Sequence, residues 1–199
     1  MSQQLNARDL GIIVVFLVLT YLAHMLGQVV QIGGAQLAPS IIVYTLLALI
    51  VAPRIGWAFL AIIAVVIGLL TMLATSSPYP LANIPAHVGG FLFASLFAKM
   101  WAALGREFGV GALVAAFTLT TLISWTLFSG TTWLGLSATD FVERQWSRFG
   151  IAFGTGFWGW WLYGFFGVAI PSLAVGLVLT PAFARLARRG VGGSKASSR

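Results

Sequence analysis

The side chains able to do polar chemistry in this chain are few. There are two histidines, His24 and His87, four acids, Asp9, Glu107, Asp140 and Glu143, and no cysteine. His24 falls late in a long apolar run, with Tyr21 and Gln28 three and four residues away on the same helical face. His87 closes the stretch "TSSPYPLANIPAH", Thr75 to His87, which also holds Tyr79 and Asn83. An imidazole within an apolar span is costly to bury and is a functional candidate for that reason. Imidazole, carboxamide and phenol both donate and accept hydrogen bonds, so the chemistry they offer is recognition of a polar solute. All four acids lie at or beyond the ends of apolar runs, which argues against an autonomous proton-driven pump. Two histidines without a third ligand make no metal site, and nothing implies another cofactor. The chain has no HExxH, no nucleophile-elbow context and no phosphate-binding glycine loop, so it reads as a non-enzyme.

The elements that must position these groups are set by composition. The chain is 59% hydrophobic and 8% charged, against about 25% charged in a soluble domain. Too little charge is present to solvate a water-facing surface, and lipid is the expected solvent. The expected fold is all-α, an integral membrane bundle of about six transmembrane helices: Leu10–Leu26, Leu37–Ala52, Trp57–Leu73, Val88–Leu104, Val110–Phe128 and Leu162–Ala184. The first run lacks a clear cleavage site and is read as a retained span, not a signal peptide.

Six spans place both termini on one side. Nine basic residues (Arg8, Arg54, Lys99, Arg106, Arg185, Arg188, Arg189, Lys195 and Arg199) then share that side, and only Arg144 and Arg148 face the other, so both termini are expected in the cytoplasm. The apolar stretch Phe149 to Ala184 is about 54 Å long as helix. It is read as a Gly- and Trp-rich interfacial approach, "GTGFWGWW", followed by one helix in which Pro171 introduces a kink. Residues 1–186 form one transmembrane domain, and 187–199 a basic, disordered cytoplasmic tail. The expected location is a bacterial or archaeal cell membrane.

With this topology the outward loops hold most of the polar side chains: Gln28, Gln31 and Gln36 in the first, Thr75 to His87 in the second, and Ser129 to Gly150, including Thr131, Thr132 and Trp133, in the third. Pro78, Pro80 and Pro85 predict a non-helical hairpin partly folded into the outer half of the bundle, anchored by Tyr79, Leu81 and Ile84. The candidate substrate-binding residues are His24, Gln28, Gln36, Tyr79, Asn83, His87 and Trp133. Ala7 and Gly11 form a small-xxx-small pair where another membrane helix can approach, as do Ala23 with Gly27 and Gly150 with Gly154.

The layout resembles the substrate-binding S components of energy-coupling-factor transporters, and within that group the bacterial tryptophan-transporter family. That family has a histidine late in the first span, a glycine-rich outer loop leading to a proline, and an outer motif [FY]-P-x-x-Q-[IL]-P-N. The counterparts here are His24, then "IGGAQLAP" ending at Pro39, then "YPLANIPA" from Tyr79 to Ala86. Tyr79, Pro80, Ile84 and Pro85 match; Asn83 replaces the motif's Gln, Ala86 its Asn, and "VGG" the acid–base pair expected just after it. The resemblance implies an outward-facing pocket for tryptophan, a related aromatic or heterocyclic compound, or a vitamin. It also implies a coupling membrane subunit with cytoplasmic ATPases, which would meet Ala7, Gly11, Arg54 and Arg106. Alternatives are a non-transport assembly or interaction protein, a membrane enzyme acting on lipid through a histidine, and, least favoured by the residues present, a channel.

Overall fold

The computed structural model describes residues 5–32, 35–77, 79–136 and 156–178. The expected tail, the Gly150–Gly154 pair and the stretch from Ser137 to Gly150 lie outside the described residues. Among the described residues the architecture is all-helical apart from one two-stranded hairpin, and five helices are long and apolar enough to cross a membrane.

Helix α1 spans Ala7–Val29. Asn6 caps it by accepting from the Asp9 N–H at 2.8 Å, and Asp9 adds negative charge to the first turn. Asp9 is buried and accepts from Arg54 at 2.8 Å, which ties the start of α1 to the connection after α2. Val14, Val15, Val18, Leu22 and Met25 are exposed along α1, as are Ile62, Val65, Leu69 and Leu73 along α3 (Trp57–Ala74). Apolar faces of this extent suit hydrocarbon rather than water, as expected of a multi-pass membrane protein.

Between α1 and the second helix the chain makes a hairpin, β1 (Gln31–Ile32) against β2 (Ala35–Gln36), antiparallel, with Gln31 opposite Gln36. The returning arm lies hard against α1: a Cβ on Gly27 would overlap the Leu37 carbonyl oxygen and stand 2.9 Å from Pro39 Cδ. It also reaches the last helix, where the Ala38 N–H donates to Ser172 Oγ at 2.8 Å. Helix α2, Pro39–Val51, therefore starts inside the bundle instead of at its rim. Pro39 fits the first turn because its missing N–H would have no partner there. At 13 residues α2 is about 20 Å long, shorter than a bilayer's hydrocarbon. It is buried on nearly every side, with Tyr44, Leu47, Ala48 and Val51 fully enclosed. This is the segment expected as a span from Leu37 to Ala52; it is buried between α1, α4 and the fifth helix, and five other helices among the described residues are long enough to span.

The stretch Thr75 to His87 is only partly non-helical. Pro80–Ala82 form a single 3-10 turn, and helix α4 starts at Asn83 and runs to Ala103. Pro85 is absorbed in its first turn, where no N–H is needed, so Asn83 and His87 are helical residues and not hairpin residues. On α4 the residues Ala86, Gly90, Ala94 and Ala98, four apart, form a buried ridge of small side chains. Lipid supplies no hydrophobic drive between helices, so this close approach to neighbouring backbones is what packs α4 against α2 and α5. Gly105, at φ +66°, turns the chain after α4 in a conformation that glycine adopts without a Cβ penalty.

Helix α5, Val110–Leu136, is longer than expected, so Thr131, Thr132 and Trp133 belong to its last turns and not to a loop. The last helix, α6, occupies Gly156–Val178. The expected interfacial approach is thus itself helical, with Trp158, Trp160 and Trp161 on α6. Phe165–Ala169 are π-helical. Two features account for this segment. The Trp125 indole of α5 donates to the Trp161 carbonyl at 3.0 Å, competing with the backbone ladder, and Pro171 supplies no N–H to the turn before it. Gly164 makes room for that indole; a Cβ there would overlap the Trp125 ring.

Candidate functional site

The chain's two histidines meet at the end of the bundle where α1 finishes and α4 starts. His24 and His87 are 5% and 4% exposed, and their rings stand edge to face with centroids 5.2 Å apart. His24 Nδ1 is 3.1 Å from the Ser40 hydroxyl in the first turn of α2. One turn further along α2, the Tyr44 ring lies 5.5 Å from His87, also edge-on. Each helix contributes for a local reason. Gly27 lets the α2 start approach α1, and Gly90 leaves space on α4 for Tyr44, since a Cβ there would stand 2.6 Å from its hydroxyl and 3.2 Å from Ser124 Cβ.

The polar atoms of this cluster are incompletely paired. Among the described residues, His24 Nε2 and His87 Nδ1 have no hydrogen-bond partner. The Tyr44 hydroxyl, on the same side of Gly90 as Ser124, likewise has no hydrogen-bond partner among the described residues. Along α5, the buried hydroxyls of Thr120, Ser129 and Thr132 also lack partners among the described residues, although Ser and Thr in these helices commonly donate back to the carbonyl four residues earlier, as Thr20, Thr45, Thr71 and Ser95 do. Leaving a buried donor or acceptor unpaired costs roughly 1–3 kcal/mol. Three such atoms, His24 Nε2, His87 Nδ1 and the Tyr44 hydroxyl, gather in this cluster.

Around the cluster, Gln28 Oε1 accepts from the Ser76 hydroxyl at 2.7 Å and the Ser76 N–H at 3.3 Å, tying the end of α1 to the connection after α3. Asn83 is 2% exposed and donates to the Pro80 carbonyl at 3.0 Å, so its amide also holds the 3-10 turn. The Tyr79 ring covers Gly135 near the end of α5. Gln36 is placed on β2.

The tertiary structure therefore brings His24 and His87 into contact, with Asn83 one turn from His87 and Gln28 one turn from His24. Trp133 is elsewhere. It packs with Trp125, Phe128, Trp160 and Trp161 between α5 and α6, with Phe157 edge-on at 6.2 Å. At the opposite end, Ala7 and Gly11 lie on an exposed face of α1, with open space around Gly11. Arg54 is engaged by Asp9, and Arg106 lies 5.8 Å from the centre of the Trp101 ring.

Sequence reading did not single out Ser40, Tyr44 or Ser124. Ser40 and Tyr44 are four apart and so share a helix face; their spacing in an otherwise apolar run was the available signal. Among the described residues no third His, Cys, Asp or Glu joins the histidines. What the arrangement offers is a set of hydrogen-bonding groups with aromatic rings beside them, a chemistry that can bind and orient a small polar solute. No family model, no curated protein and no solved structure matches the chain.

Proposed function

We propose that this chain is the substrate-binding subunit of a membrane uptake system, of the S-component kind. In this reading a small aromatic or heterocyclic solute, such as tryptophan, a related compound or a vitamin, binds from outside the cell, and the energy for release comes from a partner. The observation that carries the reading is the meeting of His24 and His87, from helices far apart in sequence, each with one ring nitrogen unpaired among the described residues. The returning arm of the β-hairpin supports it as well. Non-helical backbone below a helix end is tolerated in a membrane only where protein or a polar cavity surrounds it.

The topology belongs to the proposal. The short α2 counts as a sixth span completed by the hairpin, so both termini are cytoplasmic and the histidines lie towards the outside. The exposed Ala7–Gly11 face of α1 is then on the cytoplasmic side, where a coupling membrane subunit with its ATPases would dock.

The test is thermal unfolding of the detergent-purified protein, followed by light scattering because eight tryptophans complicate fluorescence. The panel is tryptophan, other aromatic amino acids and B vitamins. A ligand at about 100 times its Kd stabilises by roughly 2.7 kcal/mol. A saturable shift that disappears in His87→Ala and Asn83→Ala supports the reading. No shift with any compound refutes it in favour of an assembly or interaction role.

A further inference from the structure

We infer that the ring contact of His24 with His87 is a pH-sensitive latch: it holds α1 to α4 while at least one imidazole is neutral, and it parts when both carry a proton. The latch is a property of the bundle beyond solute binding, and its test involves no solute.

The contact has a particular place in the packing. Helix α1 packs on α2 and α3, and α4 on α2, α3 and α5. The two rings reach across to one another, edge to face with centroids 5.2 Å apart, and join the last part of α1 to the second turn of α4. They also close that end of the bundle. Both histidines are buried, and the Tyr44 ring beside His87 is fully enclosed. His24 Nε2 and His87 Nδ1, unpaired among the described residues, are out of reach of water while the rings stay together.

The groups facing the pair come from each neighbouring element. On α2 they are the Ser40 hydroxyl, 3.1 Å from His24 Nδ1, and Tyr44, whose ring lies 5.5 Å from His87. On their own helices, Tyr21 and Gln28 flank His24 and Asn83 precedes His87 by one turn. Helices α3 and α5 contain no ionisable residue. Tyr79 lies over Gly135, and Tyr163 of α6 belongs to the tryptophan cluster. The charged side chains of the described residues are at the opposite end, where Asp9 holds Arg54 and Lys99 donates to the Ile55 carbonyl. Asp140, Glu143, Arg144 and Arg148 lie outside the described residues.

A single imidazolium can be met by the lone pair of the neutral ring beside it. Two imidazolium rings in contact repel, and that repulsion is between the rings themselves, whatever else stands near. Once parted and wetted, each ring accepts a proton at about pH 6.5, as exposed histidines do. Acid therefore draws the pair into the parted state, and the end of α1 moves away from the start of α4.

The experiment uses the full chain in phosphatidylcholine nanodiscs. The chain has no cysteine, so Leu26→Cys on α1 and Leu81→Cys just before α4, both at exposed apolar positions, carry one pair of spin labels. Their separation is measured from about pH 8 to about pH 5, the range in which histidine changes charge. With two histidines in the chain, histidine-selective 15N labelling follows each imidazole over the same range. The expected result is one narrow separation at the alkaline end and a longer one at the acid end. The lengthening should follow protonation of both rings, and it should be lost when His24→Gln and His87→Gln are combined in the labelled chain. A separation unchanged across the range overturns the latch, as does a lengthening that survives in the double variant. If the double variant does not fold, the wild-type rings decide: lengthening that tracks protonation of both supports the latch, and lengthening while either imidazole is still neutral overturns it.

Discussion

Gly90→Ala, paired with Tyr44→Phe, tests how the site is assembled. At Gly90 a Cβ would stand 2.6 Å from the Tyr44 hydroxyl oxygen, 3.2 Å from Ser124 Cβ and 3.3 Å from Tyr44 Cζ. Tyr44 is fully buried between α1, α4 and α5, so its ring cannot swing away. Overpacking costs about 1–3 kcal/mol, and a 2.6 Å contact against an enclosed ring belongs in the upper half of that range, about 2–3 kcal/mol, while the better helix propensity of alanine returns about 1 kcal/mol. Gly90→Ala should therefore destabilise by about 1–2 kcal/mol. Tyr44→Phe alone should be nearly neutral, because the buried hydroxyl has no hydrogen-bond partner among the described residues to lose. In the double variant the oxygen is gone, the remaining contacts are 3.2 and 3.3 Å, and small shifts relieve them. Stability should return to near wild type, a coupling of about 1–2 kcal/mol. The assay is reversible unfolding in mixed micelles by SDS titration of all four proteins. Additivity within about 0.5 kcal/mol refutes the steric account, as does a Gly90→Ala that is more stable than wild type. Because Tyr44 backs the His87 ring at 5.5 Å, ligand stabilisation should fall in Gly90→Ala and recover in the double variant.

Other consequences are separately measurable. Gly27→Ala places a Cβ on the Leu37 carbonyl oxygen, a backbone atom that cannot rotate aside, and should cost about 2–4 kcal/mol together with ligand binding; an unchanged melting temperature would refute the turn-back of the hairpin arm. Gln28→Ala removes the acceptor for Ser76 at an exposed position, so the melting temperature should hardly move while ligand dissociation, followed by stopped flow, speeds up several-fold; an unchanged rate would leave the tie without a role in retaining the solute. Gly164→Ala should destabilise by about 3 kcal/mol by displacing the Trp125 indole and its bond to Trp161, and Trp125→Phe in the same chain should relieve part of that; no relief would show that the π-helical segment does not depend on the indole.

Much of the site was legible in residue types. His24, Gln28, Asn83 and His87 stand out because each is a polar group in or beside an apolar run, and the structure places them at one end of the bundle. Their partners were not legible. Gln28, one turn along the same helix, was the obvious neighbour for His24, yet it turns to Ser76, and His24 meets Ser40 and His87. Trp133 was chosen as an aromatic near an outer loop, but helix α5 continues through it and turns its ring into the tryptophan cluster with α6. The prolines of "SSPYPLANIPA" predicted a non-helical hairpin; instead Pro80–Ala82 make one 3-10 turn and Pro85 sits in the first turn of α4, where no N–H is needed.

What the sequence by itself determined is the solvent and the approximate helices. Hydropathy and charge are summed over local windows, and 8% charged residues leave lipid as the medium for most side chains. Tertiary structure decided the rotation and depth of each helix, and so which polar atoms meet. These depend on how closely backbones approach at Gly27, Gly68, Gly90 and Gly164, where the atom that would clash belongs to a residue between 10 and about 50 positions away. A glycine in an apolar run announces that something can come close. Which residue comes close is a property of the packed bundle, because in lipid the interdigitation of small and large side chains, not their hydrophobicity, selects the partner.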